Sequence, residues 1–200
     1  MKTDYTEEQK RRVDEAYMKV AKRINELAPD DSKVEQSLPP IDKAVLLDIL
    51  HELELGCLTL MPDYARGLAC AATLYQRLGD NVKALALMER ACQVDTQSAG
   101  IALAASQAAD DVNDLDKALY YAREAVNREP DQPDILVAYA MKLLDAGRDE
   151  EASKVLDKAI LIGQNHPVSQ DILLAFVAAI YKERERPPLE DFPSSDFSDN

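Results

Sequence analysis

The chain lacks most of what catalysis, nucleic-acid binding or membrane insertion requires. Its 200 residues hold three cysteines, Cys57, Cys70 and Cys92, with no close pair of the metal or redox kind. An odd count without a secretory signal argues against disulfides, so the three read as small buried hydrophobes. Positive charge is scarce, 23 Lys and Arg against 37 Asp and Glu, for a net charge of −14. Nucleic acids and anionic membranes call for basic patches, so both are poor partners for such a chain. No apolar run approaches the roughly 18 residues of a membrane span. The opening MKTDYTEEQKRRVDEAY has no apolar core of the signal-peptide type, which makes the cytoplasm the expected location. A Gly-rich phosphate loop, a His–Glu metal pattern and a Ser or Cys nucleophile motif are all missing. No enzyme activity, cofactor or metal is therefore expected. The acids Asp110, Asp111, Asp114 and Asp116 lack the glycine and terminal glutamate of a calcium loop and read as a solvated turn. His51, with no partner, reads as a surface residue.

What the chain does have is a repeat. Three units of 34 residues, 65–98, 99–132 and 133–166, align without gaps. Position 20 of each is Ala84, Ala118 or Ala152; position 27 is Ala91, Ala125 or Ala159. Position 8 is Ala72, Ser106 or Ala140, and position 24 is Met88, Ala122 or Leu156. Position 15 carries Gly79, Asn113 and Gly147, the residue types that reach left-handed backbone angles cheaply. Each unit reads as two amphipathic helices joined by a tight turn, with small residues where the helices approach. One such pair cannot bury its apolar face alone, so neighbours stack. The expected fold class is all-α, a solenoid of helical hairpins.

These segments, YQRLGDNVKALALMERACQVD, DVNDLDKALYYAREAVNREP and LLDAGRDEEASKVLDKAILIG, resemble the tetratricopeptide repeat (TPR) family over about half the chain. The departures are specific. Position 4 is Leu68, Ala102 and Leu136, without tryptophan; the position-11 tyrosine survives only as Tyr75; Pro130 stands at position 32 of the second unit, while Thr96 and Gln164 replace it in the others. The second unit is the least typical, and its Ala-rich first helix is expected to be thinly packed.

Residues 1–30 read as an amphipathic helix over 6–28. Thr6 and Gln9 fit a capping box, and Val13, Tyr17, Val20, Ile24 and Leu27 form an apolar stripe. The stripe suits either packing on the repeats as an N-terminal cap or self-association. A polar linker over 31–40 follows. Residues 41–64 read as a degenerate half-repeat, a helix that Gly56 bends or breaks. After the repeats, 167–186 reads as a capping helix whose Ile172–Tyr181 run is apolar on several sides, available for burial, a partner or an oligomer. The tail, 187–200, is acidic and expected to be disordered, with Leu189, Phe192 and Phe197 as apolar beads; it serves either as a solvated tail or as a segment docking on a partner or on the protein's own groove.

The resemblance implies a function. TPR proteins bind a partner segment in the concave groove lined by the first helix of each pair. Carried onto this sequence, the groove residues are Arg66, Ala69, Thr73, Gln76 and Arg77 in the first unit, Gly100, Leu103, Gln107, Asp110 and Asp111 in the second, and Asp134, Val137, Met141, Leu144 and Asp145 in the third. That set gives a mildly basic start, an apolar middle and an acidic end, suited to an apolar segment with basic flanks. The family's two-carboxylate clamp for heat-shock chaperones is ruled out in this frame, because its positions fall on Ala69, Thr73, Ala104, Asp134 and Ala138. The implied function is a non-catalytic, protein-binding adaptor. Two alternatives stay open: a bacterial secretion-system chaperone of the TPR type, and a structural subunit that oligomerises through the Val13–Leu27 stripe or the Ile172–Tyr181 helix.

Overall fold

A computed structural model describes residues 4–27 and 43–163. The expected linker, C-terminal helix and tail lie outside the described residues. The chain divides into two compact units, Met1–Arg128 and Glu129–Asn200. The first contains α1 (Glu7–Leu27), α2 (Lys43–Leu53), α3 (Ala65–Leu78), α4 (Asn81–Val94), α5 (Ala99–Asp110) and α6 (Leu115–Arg128). The second contains α7 (Pro133–Asp145) and α8 (Asp149–Gly163). The described residues hold helices and turns but no strand.

Three turns repeat at the 34-residue spacing. Gly79, Asn113 and Gly147 have φ of 87°, 59° and 71°, the left-handed values anticipated for position 15. Each following amide donates back across the turn: Asp80 to the Tyr75 carbonyl, Asp114 to that of Ala109 and Arg148 to that of Leu143. These bonds satisfy carbonyls that the ending helix leaves orphaned. Asp80 and Asp114 then cap the next helix, accepting from the amides of Lys83 and Lys117 at 3.1 Å. Such caps are worth about 1 kcal/mol each. The third turn uses Arg148 instead, paired with Glu151 at 2.6 Å.

The small-residue register is that of close-packed hairpins. Ala84, Ala91, Ala118, Ala125, Ala152 and Ala159 are fully buried, as are Ala72 and Ala140. Ser106, the polar member of this set, is satisfied: its hydroxyl donates to the Ala118 carbonyl at 2.7 Å. The expectation that α5 is thinly packed is wrong. Ala99, Ala102, Ala105, Ala108 and Ala109 are all fully buried, and α5–α6 is the most closely engaged helix pair. Short side chains let the backbones approach, so alanine here brings intimacy rather than a void.

The N-terminal region forms a further hairpin. α1 packs on α2 and on a π-helical turn, Glu54–Leu58, and that turn and α2 pack on α3. The turn, closed by the Thr59 amide on the Glu54 carbonyl at 2.8 Å, is where Gly56 breaks the anticipated helix. A Cβ on Gly56 would lie 2.9 Å from the Ala16 Cβ, so glycine permits the approach of α1. Polar contacts fix the pairing. Glu52 pairs with Lys19 and Arg23, each at 2.5 Å, and Arg23 also reaches Asp48 at 2.7 Å. The Tyr64 hydroxyl donates to Asp14 at 2.7 Å. Val13 and Val20 of the apolar stripe are fully buried, so this part of it is consumed within the protein. Thr6 and Gln9 form the reciprocal box: the Thr6 amide donates to Gln9 Oε1 at 2.9 Å and the Gln9 amide to Thr6 Oγ1 at 3.2 Å.

Candidate functional site

Within the first unit, α1, α3 and α5 border an open groove of about 600 Å³. α3 supplies its central face. Arg66, Ala69, Cys70, Thr73 and Arg77 all line it, and steps of three and four residues keep them on one side of the helix. Tyr17, Ala21, Ile24 and Asn25 come from α1, and Gly100, Ile101 and Ala104 from α5. The lining is therefore small or apolar along the middle, with arginine at either end of the α3 face.

Local contacts set the walls. The Tyr17 ring stands edge-on to Tyr64, centroids 5.7 Å apart, which holds an aromatic wall beside Arg66. Burial is the main cause that raises the Tyr17 hydroxyl above its ordinary pKa, and the Arg66 charge works against it. Thr73 Oγ1 donates to the Ala69 carbonyl at 3.1 Å, so the hydroxyl is engaged by its own helix. Cys70 is half-buried and lines the groove, unlike Cys57 and Cys92, which are buried. Burial pushes its thiol up to about 11, so it is protonated and unreactive near neutral pH. Asp95, the acidic lining residue, accepts the amides of Gln97 and Ser98 at 3.0 Å each. Arg128 donates to the carbonyls of Asp95 and Ser98, which pins this connection to the end of α6.

The structure brings together five of the residues anticipated for a groove, Arg66, Ala69, Thr73, Arg77 and Gly100. Leu103, Gln107 and Asp110 do not border it. Gln107 and Gln76 instead share the carboxylate of Asp111, at 3.2 and 2.7 Å, which ties the ends of α3 and α5. Asp134, Val137, Met141 and Leu144 belong to the second unit. There Val137 and Leu144 are buried, Met141 is half-buried and Asp134 is exposed. The α1 wall was missed. Tyr17 and Ile24 were visible as an apolar stripe, but nothing in the 34-residue period assigns that stripe to a groove.

Paired helices, small residues at the helix crossings and a recurring left-handed turn are the features of a tetratricopeptide-repeat fold. A family model described as tetratricopeptide repeat matches residues 111–175. Among curated proteins, none matches the sequence. Solved structures do match in fold. YrrB, described as a TPR protein with an unusual peptide-binding site, is 16% identical with a TM-score of 0.56, over 84% of this chain and 85% of that one. MamA from Desulfovibrio magneticus RS-1 is 13% identical with a TM-score of 0.55, over 62% and 70%. SycD, the type III secretion translocator chaperone of Yersinia enterocolitica, is 17% identical with a TM-score of 0.53, over 62% and 92%. At these identities the likeness is one of fold. No helix among the described residues is long and apolar enough to cross a membrane.

Proposed function

We propose that the chain is a non-catalytic cytoplasmic adaptor that holds a segment of another protein in the groove bordered by α1, α3 and α5. The observation that carries this reading is the groove itself. It is open, lined by small and apolar side chains along its middle, and built by helices anchored by other, buried residues: Val13 and Val20 of α1, Leu68 and Ala72 of α3, and Ala105 and Ala108 of α5. An extended or helical segment fits such a surface by placing apolar anchors against it. The likeness to SycD favours a second reading, a chaperone that keeps an exported protein unassembled by occupying such a segment. A structural subunit joined through its end helices is the third; it is weakened for α1 by the burial of Val13 and Val20.

The test is affinity capture from native extract with the full chain and an Ala69→Trp variant, which fills the groove from its α3 face. The expected result is one stoichiometric partner bound by the wild type and lost by the variant, at unchanged helical content. A partner that the variant retains would place the active surface elsewhere.

A further inference from the structure

We infer that the groove takes a short extended segment of another protein that carries an acidic side chain at each end and small or apolar residues between. The inference rests on the groove reading above and adds the chemistry of the occupant. It reverses the charge anticipated from sequence, where Asp110 and Asp134 were counted with the groove; Asp110 does not border it, and Asp134 belongs to the second unit.

Arg66 and Arg77 lie on the same face of α3, eleven residues apart. At 1.5 Å per residue they are separated by about 16 Å along the helix. Both are exposed, and neither pairs with a carboxylate among the described residues, unlike Lys19, Arg23, Arg90 and Lys117. Two such cations in one groove stand out in a chain with a net charge of −14, where carboxylates to neutralise them are plentiful. The Asp95 carboxylate is committed to the amides of its own turn.

Between the arginines the surface is Ala69, Cys70 and Thr73, faced by Ile24 of α1 and Ala104 of α5. Small residues leave room for a backbone and short side chains. An extended chain rises about 3.3 Å per residue and alternates its side chains between two faces, so only an even spacing presents both acids to α3; four residues, about 13 Å, bring them within reach of the two long arginine side chains. The occupant's acidic side chains therefore fall four positions apart. Each forms a charge-assisted bond with a guanidinium, while the residues between them meet the small and apolar floor.

The probe is a fluorescein-labelled peptide, Ser-Asp-Ala-Ile-Ser-Asp-Ser, capped at its C-terminus so that only side chains supply negative charge. A second peptide carries lysine in place of both aspartates. With the full-length chain at low ionic strength, anisotropy should show the aspartate peptide binding about tenfold or more tightly than the lysine peptide. Arg66→Glu and Arg77→Glu should each weaken it about tenfold, and the double variant should prefer the lysine peptide. Equal or tighter binding of the lysine peptide to the wild type, binding of neither, or indifference to both substitutions would overturn the inference. Self-association that Arg66→Glu abolishes would assign the groove to a second copy and overturn it too. The groove reading is judged separately: a native partner lost with Ala69→Trp but retained by both arginine variants keeps the groove and removes the charge rule.

Discussion

The hairpins α3–α4 and α5–α6 and the hairpin α1–α2 reach similar helix pairing by different means. In the first two, the same device recurs: a left-handed residue at Gly79 or Asn113, a capping aspartate next to it, and small residues, mostly alanine, at the recurring buried positions. The instructions are local and repeated. In the third, nothing repeats. α1 and α2 are joined through residues 28–42 rather than by a two-residue turn, and their pairing depends on individual contacts: Gly56 against Ala16, Glu52 between Lys19 and Arg23, and Tyr64 on Asp14. A repeat hairpin tolerates a weak position because its neighbours restate the register. The N-terminal hairpin has no such redundancy, yet it supplies one wall of the groove.

The largest effect expected is on the repeat side. Ala118 is fully buried and its carbonyl accepts the Ser106 hydroxyl at 2.7 Å. Ala118→Trp places a large ring in the contact between α5 and α6. Overpacking of this kind costs roughly 1–3 kcal/mol or more, which should lower the melting temperature by several degrees. A melting temperature equal to wild type would contradict the repeat register itself.

Next comes the contact that the N-terminal hairpin cannot replace. In Gly56→Ala the added methyl meets Ala16 Cβ at 2.9 Å, and neither atom sits on a flexible arm. The helices must separate, at a cost of roughly 1–2 kcal/mol. Because α1 is the element displaced, hydrogen exchange should quicken in α1 before it quickens in α5 or α6. Ala16→Gly in the same chain should restore much of the loss, which distinguishes a steric contact from any intrinsic demand of the π-helical turn for glycine. Failure of that rescue would show that the turn, not the α1 crossing, selects glycine at this position.

The same contrast explains which features were legible in the sequence. The 34-residue period exposed the turns, the buried alanines and the all-α hairpin class, because each is encoded several times by residues with a backbone or volume requirement. The Thr6–Gln9 box was legible for a related reason, since both partners lie within one helical turn. The pairing of α1 with α2 was not. A stripe such as Val13, Tyr17, Val20 and Ile24 shows that a face is apolar, never which surface it meets; here Val13 and Val20 are buried while Tyr17 and Ile24 border the groove. Within the repeats, family positions placed Gly100 and Leu103 at the groove; Gly100 does border it, with Ile101 and Ala104, while Leu103 does not. Small residues mark a floor less visibly than large ones mark a core.

The smallest effect tests the polar half of the N-terminal hairpin. Hydrogen bonds from Lys19 and then Arg23 hold the Glu52 carboxyl below the usual glutamate range. A carboxylate whose folded pKa lies below its unfolded value adds stability that is fully present above the unfolded value and is lost as pH falls through the folded one. Acidification from near neutral to below the usual carboxylate range should therefore loosen α1. Other acids titrate over the same interval, so the informative quantity is the difference between wild type and Glu52→Gln. Exposed ion pairs contribute little and are screened by salt, so this difference should be smaller than that of either packing variant. It should be present at neutral pH and low salt, and should shrink both with acid and with added salt. A Glu52→Gln variant that matches wild type in α1 exchange throughout would mean that Gly56, Val13 and Val20 hold the hairpin by packing alone, with the ion pairs only decorating a docked helix.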